Sequence, residues 1–489
     1  MKLERNSGIL LHPTSLPDSP VCGSFGNPAR VWLNELAASG IGVWQFLPLA
    51  PPDSFGSPYS SPSSFAFNPW FLDQNDLVRD GFLANSLEKF SYENNYIDNR
   101  VDSQLANSRV KLLRSFLVDY WDKQNRTTQE EFERWCSKQF WLEDHSIFME
   151  LKIQNNDLPW WEWPDKYAVR DKKELVNWKK NNQRELLGHN LLQWHLDRQW
   201  KSIRKLAKNL GIFLFGDVPF YVSKDSADVW SNRSLFSILT NSDTFFQSGV
   251  PPDYFSETGQ LWGNPVYRWS RHKASNYRWW RKRISRHLEQ VDFLRLDHFR
   301  ALEAFWAIPG KDKTAENGFW LPSPGREILR LIKNDCSGLL PLVAEDLGLI
   351  TSKVERLRDD YELVGMKILQ FAFDGNLDNP YLPENIKNEN WIVYTGTHDN
   401  STSQGWWREM DQDRKEQIRE RLLDYENFTS WELIRIGMET KAKLFVAPMQ
   451  DLLNLDDSAR LNKPGTIENN WTWRLSRNDM NIEEAIKKY

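Results

Sequence analysis

FLRLDHFR, residues 293–300, begins as an apolar β-strand and ends in a crowd of arginine, aspartate, histidine and arginine. Charges are rarely buried unless they are paired, so this run alone is read equally as a structural ion pair closing a strand or as catalytic apparatus. The rest of the chain decides between the two. Similar short apolar runs stand at SGILLH (7–12), IGVWQFLPL (41–49), GIFLFGDV (211–218), LLPLVAED (339–346), VGMKILQF (364–371), WIVYTGT (391–397) and AKLFVAPM (442–449). With VDFLRLD (291–297) they make eight. They are continuous rather than alternating, as strands buried on both faces are. Helical patterns such as SKVERLRDD (352–360) and REMDQDRKEQIRERLLDY (408–425) separate several of them. Eight parallel strands with intervening helices predict an α/β fold, a (β/α)8 TIM barrel with large, mostly helical insertions between barrel strands.

The whole chain, 1–489, reads as one catalytic barrel. Residues 50–210, between the second and third runs, far exceed one crossover helix, which predicts a mostly helical insertion over 70–205. Within it QEEFERWCSKQFWLEDHSIFMELK (129–152) and LLQWHLDRQWKSIRKLAKN (191–209) have the helical character. A second insertion, 219–275, follows the third run. It carries SGVPPDYFSETGQLWGNPVY (248–267), rich in proline, glycine and aromatics and without a helical period, which is expected to be a loop acting as an active-site lid.

Composition narrows the partners. At 489 residues, with 40% hydrophobic and 26% charged side chains, the chain is ordinary globular material able to bury a sizeable core. A net charge of −5 and a pI near 6.0 give no general attraction to nucleic acid or to anionic membranes. RWWRKRISRH (278–287) is locally basic but precedes an apolar strand, and it reads as a solvated helix face. Cys22, Cys136 and Cys336 are odd in number, far apart and outside any CxxC pattern, which argues for a reducing compartment and against a disulfide framework or a zinc site. No signal-peptide core and no bilayer-length apolar run is present, so a cytoplasmic protein is expected. The 25 tryptophans fit either a core or a surface for sugar rings.

In a TIM barrel the catalytic groups sit at the C-terminal ends of the strands. Five of the eight runs finish in or near an acid: Asp217, Asp297, Glu345, Asp374 and Asp399. Two converging carboxylates are the apparatus of glycosidic bond chemistry. Arg295 and Asp297 share a strand face at period two, so the guanidinium should keep Asp297 ionised, as a nucleophile requires. Glu345 follows Leu342, Val343 and Ala344, an apolar setting expected to raise its pKa and keep it protonated as the acid. His12, His298 and His398 also stand at strand ends, but HxH and HExxH are absent, so sugar hydroxyls are expected on these imidazoles rather than a metal.

Taken with SPYSSPSSFAFNP (57–69), GDVPFYVSKDSADVW (216–230), PPDYFSETGQLWGNPVY (251–267), FLRLDHFRALEAFWAIP (293–309), VAEDLG (343–348), GMKILQFAFD (365–374), YTGTHDN (394–400) and ARLNKPGT (459–466), these residues resemble the 4-α-glucanotransferases known as amylomaltases or disproportionating enzymes, of the α-amylase superfamily. The resemblance runs almost end to end. It implies Asp297 as nucleophile, Glu345 as general acid/base and Asp399 as the carboxylate holding hydroxyls of the distorted ring. It further implies donor-sugar contacts from Tyr59, Asp217, Arg295, His298, Asp374 and His398, and an acceptor side formed by Trp262, Asn264 and Asn462. Neither an organic cofactor nor a metal is implied, and the partners are maltooligosaccharides and α-1,4-glucans. Three departures mark this chain. PDSFGSPY (52–59) lacks the glycine- and tyrosine-rich turn often found there, with Phe55 in its place; Ser401, Thr402 and Ser403 stand where Asp-Thr-Thr usually follows; and GTIENNWTWR lacks a glycine before Asn-Trp.

Transfer and hydrolysis share one covalent intermediate and differ in whether a sugar hydroxyl or water attacks it. The lid offers Tyr254, Phe255 and Trp262 to stack on an acceptor sugar and displace water, which favours transfer over an amylase-like hydrolase. A glucan-binding module would need no set of acids at strand ends.

Overall fold

The computed structural model describes residues 4–17, 19, 21–83, 99–252, 256–476 and 482–489. Eight strands form one sheet: β1 (Asn6–Leu10), β2 (Val43–Gln45), β3 (Phe213–Val218), β4 (Phe293–Leu296), β5 (Leu342–Ala344), β6 (Gly365–Ile368), β7 (Trp391–Tyr394) and β8 (Leu444–Pro448). The sheet runs β6-β7-β8-β1-β2-β3-β4-β5, and every pairing in it is parallel. Its open ends meet through a parallel bridge from Val343 to Val364, with the Ala344 amide donating to the Val364 carbonyl at 2.8 Å. The ring is a nearly closed (β/α)8 barrel, and the apolar runs that define it are its strands.

The strands are short because each supplies only the few residues that fit between two buried faces; the remainder of each apolar run continues into the rim. Helices then cover the outside. Between β2 and β3 the chain forms helices Ser103–Trp121, Arg126–Lys138, Leu142–Gln154, Lys172–Asn181 and Gln183–Asn209. The last of these packs on the barrel through Trp200, whose ring lies 4.6 Å from Phe25 and 5.5 Å from Phe46 and whose indole N–H donates to the Gln290 carbonyl at 2.9 Å. Trp32, Trp44, Trp160, Trp200, Trp230 and Trp280 are among the largest fully buried side chains, so much of the tryptophan content fills the core.

Two readings of the sequence need correction. The stretch 248–267 is not simply a loop. Phe246–Val250 and Gln260–Pro265 pair antiparallel, and with Ala304–Pro309 and Phe319–Pro322 they form a separate four-stranded sheet over the barrel mouth. A register shift between Gln247 and Gly249 breaks the period-two signal, and the other two strands come from beyond β4, where no neighbouring residue announces them. Tyr254 and Phe255 lie outside the described residues.

The basic run 278–287 also differs from expectation. It lies in the helix Arg278–Leu288, but Arg283 and Arg286 are buried. Arg283 donates to the Phe220 carbonyl at 3.0 Å, and Arg286 to Asp197 at 3.2 Å. Half the helix is core, and its arginines satisfy backbone and acid acceptors rather than forming a solvated basic face. No helix among the described residues is long and apolar enough to cross a membrane.

Candidate active site

The parallel register of three neighbouring strands assembles the centre. Asp217 on β3 faces Arg295 on β4, and Arg295 and Leu296 face Val343 and Ala344 on β5. One step further along, Asp297 and Glu345 leave adjacent strands side by side, with the Asp297 amide donating to Val218 at 3.1 Å and the Glu345 amide to Leu296 at 3.2 Å. Adjacent strands lie about 4.8 Å apart. That is the order of the ~5–5.5 Å carboxyl separation used in double displacement.

His298 then turns the chain. It has a left-handed backbone, φ 52°, a conformation that costs a non-glycine residue roughly 1–2 kcal/mol. The turn points its own amide at Glu345, whose Oε2 accepts that N–H at 2.7 Å. Strain of this kind persists where surrounding structure over-determines it, and here it ties the acid of β5 to the turn after β4.

Arg295 sits between two acids, its Nη1 2.5 Å from Asp217 Oδ2 and its Nη2 2.8 Å from Asp297 Oδ1. Burial works against its charge, but Asp217 and Asp297 outweigh burial and raise its pKa well above normal. Tyr59 donates to the same Asp217 oxygen at 2.7 Å, and burial, then Asp217, push its phenol far up, so it remains a donor. The other Asp217 oxygen is buried with no protein partner, as are His298 Nε2 and the Tyr221 hydroxyl. Buried polar atoms are normally bonded, so these three are open to a further partner.

Burial moves both acids in the same direction, upward. Burial raises Glu345 well above the usual carboxyl range, Arg295 opposes this, and the Asp297 charge adds to it. For Asp297 burial also wins over Arg295, with Asp217 and Asp399 adding, and its carboxyl is pushed up to about 6. The expectation that Arg295 alone sets the state of Asp297 is therefore incomplete: the guanidinium limits a rise that burial causes. Burial thus favours the protonated form of Glu345, while Arg295 favours the ionised form of Asp297. The Asp297 side chain retains 30% exposure through the open cleft, which a bound sugar ring would close.

Asp399 reaches the centre from the segment that follows β7. His398 stacks on Tyr59 with ring centroids 5.1 Å apart and planes 7° apart, and its Nε2 lies 3.4 Å from Asp399 Oδ1. Burial lowers the pKa of His398, and burial lowers His298 and His12 to about 3, so all three imidazoles are neutral hydrogen-bonding groups at neutral pH. Trp262, on the small sheet, places its ring 4.8 Å from His298 and remains 37% exposed. Asn264, half-buried, stands two residues on along the same strand.

Two candidates are placed differently from their expected roles. Asp374 is not at a strand end: β6 stops at Ile368, and Asp374 stands exposed on a turn where it accepts from the Asn376 amide at 3.0 Å. A turn cap, not a barrel site, explains an acid there. Asn462 does not stand free on an acceptor surface; its Nδ2 donates to Asp399 Oδ1 at 2.6 Å.

The sequence reading also passed over two residues that join this group. Trp471 lies 5.8 Å from the Tyr59 ring and 6.0 Å from that of His398, and Arg460 donates to the Asp399 carbonyl at 2.6 Å. Nothing in their spacing marks them, because both come from a C-terminal segment without periodicity.

Comparison with known proteins supplies independent evidence. A family model described as 4-alpha-glucanotransferase matches residues 11–480. A 4-alpha-glucanotransferase of Synechocystis sp. is 41% identical over 98% of this chain and 95% of its own length. One of Thermus thermophilus is 39% identical, over 100% of this chain and 98% of its own. Among solved structures, the amylomaltase from Streptococcus agalactiae in complex with acarbose superposes with a TM-score of 0.94 at 32% identity, covering 99% of this chain and 98% of the other.

Proposed function

The chain belongs to the 4-alpha-glucanotransferase family, and from that premise we propose that it carries α-1,4-glucan segments from a donor maltooligosaccharide to the 4-hydroxyl of an acceptor glucan or of glucose, by retaining double displacement. It is a transglycosylating enzyme. The observation that carries the mechanism is the pair of acids on adjacent strands, one beside Arg295 and the other bonded to the His298 amide.

In the first step the Asp297 carboxylate attacks the anomeric carbon while Glu345 gives its proton to the departing glycosidic oxygen. This leaves a glycosyl ester on Asp297 and an ionised Glu345. In the second step Glu345 removes the proton from the acceptor 4-hydroxyl, whose oxygen attacks the same carbon and releases the Asp297 carboxylate. Tyr59, Asp217, His298 and His398 fix the donor ring through its hydroxyls, and Asp399 holds the ring in its distorted form. Trp262 presents an apolar face to the acceptor and keeps water from the ester.

Incubating the protein with maltotriose tests this. Longer maltooligosaccharides appearing together with glucose are expected; glucose and maltose with no longer products would overturn the transfer reading. Cys22, Cys136 and Cys336, all free thiols, support a reducing, cytoplasmic setting.

A further inference from the structure

Polar bonds hold the segment carrying Asp399. Between it and the ends of β1 and β8 lies a small cavity of about 20 Å³, lined by His12, Thr397, His398, Ser401, Asp451 and Arg460 among others. Gln370 donates to the Ser401 carbonyl at 2.9 Å and Asp457 accepts from the Thr402 amide at 2.8 Å, while one arginine reaches Asp399 itself. Arg460 donates from Nη2 to the Asp399 carbonyl at 2.6 Å, from Nη1 to Ser401 Oγ at 2.9 Å and from Nε to the Asn462 carbonyl at 2.8 Å. Asn462 in turn gives its side-chain N–H to Asp399 Oδ1 and its backbone N–H to the His398 carbonyl at 3.2 Å.

The same segment returns on the other side. The Trp471 amide donates to the Leu461 carbonyl at 2.6 Å, and the Trp471 ring then sits against the Tyr59–His398 stack. One C-terminal hairpin therefore grips the His398–Asp399 corner from both sides, with the Arg460 guanidinium as its fastening.

We propose that Arg460 is a positioning residue for the transfer reaction: by bonding three acceptors at once it fixes the carboxylate of Asp399 and the Asn462 side chain bonded to it in a single register. The inference rests on Asp399 holding the distorted donor ring. Arg460 touches no reacting atom and acts through Asp399. A lysine cannot replace it, because a single ammonium on a flexible stem cannot serve three divergent acceptors in a fixed plane.

The test compares Arg460→Ala, Arg460→Lys, Ser401→Ala and Asp399→Asn in full-length protein with maltotriose as donor, alongside melting temperatures. For Arg460→Ala a fall of about 10²-fold in kcat for transfer is expected, with KM for donor changed less than about threefold and a larger share of the remaining turnover going to water. Arg460→Lys should behave like the alanine variant, and Ser401→Ala, which removes one bond of three, should lose only a few-fold. The proposal fails if Arg460→Ala keeps wild-type kcat and partition, if the lysine variant restores both, or if activity falls only in step with loss of folded protein. Asp399→Asn separates the two readings: full activity there removes the premise, whereas an inactive Asp399→Asn beside an unimpaired Arg460→Ala removes this inference alone.

Discussion

Asp297 and Glu345 lie at equivalent steps of neighbouring strands, yet the proposed mechanism needs them in opposite protonation states, and the pH profile should report this. Asp297 must be ionised to attack, so activity is expected to fall as the pH drops through about 6. Glu345 must be protonated to donate, and burial raises its pKa, so the alkaline limb is expected where that proton is lost. Asp217 raises Asp297 and competes for Arg295, so Asp217→Asn should move the acid limb of kcat/KM downward. An unmoved limb would deny Asp297 control of it. Asp297→Asn should form no glycosyl ester, as read by mass spectrometry after quenching. Glu345→Gln should lose about 10²–10⁴-fold on maltotriose but retain turnover of donors with good leaving groups such as a glycosyl fluoride. At this scale the acids of β4 and β5 were legible because each follows an apolar run directly. Asp374 misled for the same reason: the run before it, VGMKILQFAFD, is longer than the strand it contains.

The elements divide between those that build the rim and those that cover it. Trp200 belongs to the first kind, buried on the helix Gln183–Asn209 among Phe25, Phe46 and Trp44. Its replacement by alanine should cost about 3–5 kcal/mol, read as a lower denaturant midpoint, without changing KM in the protein that remains folded. Trp262 belongs to the second kind: 37% exposed and seated against His298, it contributes little to the core. Trp262→Ala should leave the melting temperature nearly unchanged while raising KM for acceptor glucose about three- to tenfold, the worth of one aromatic contact. If stability fell and acceptor KM did not, the small sheet would be scaffold rather than lid. The helix Ser352–Asp360 could be read from its own period, whereas the pairing of 246–250 with 304–309 could not, since those residues meet only after β4 has returned the chain.

For the whole molecule the decisive feature is closure. The ring of strands meets at its weakest join, Val343 to Val364, and Asp346 reinforces that join by accepting from the Met366 amide at 2.8 Å and pairing with Arg358 at 2.5 Å. Asp346→Ala leaves a buried cation without its main partner and should cost about 3 kcal/mol. Amide exchange should then quicken first at Ala344 and Met366, before the β1–β8 pairing; uniform exchange would show that the join is no weaker than the rest. By itself the sequence determined that there would be eight buried strands and that Asp217, Asp297 and Glu345 would stand at the ends of three of them. Both are local properties: an apolar run marks a strand, and the first charge after it marks the rim. Only the tertiary structure decided which acids face one another, that Asp374 stands apart, that a second sheet covers the mouth, and that Arg460 and Trp471 grip Asp399. Those contacts join residues far apart in the chain, and no periodicity along the chain encodes a neighbour brought close by barrel closure.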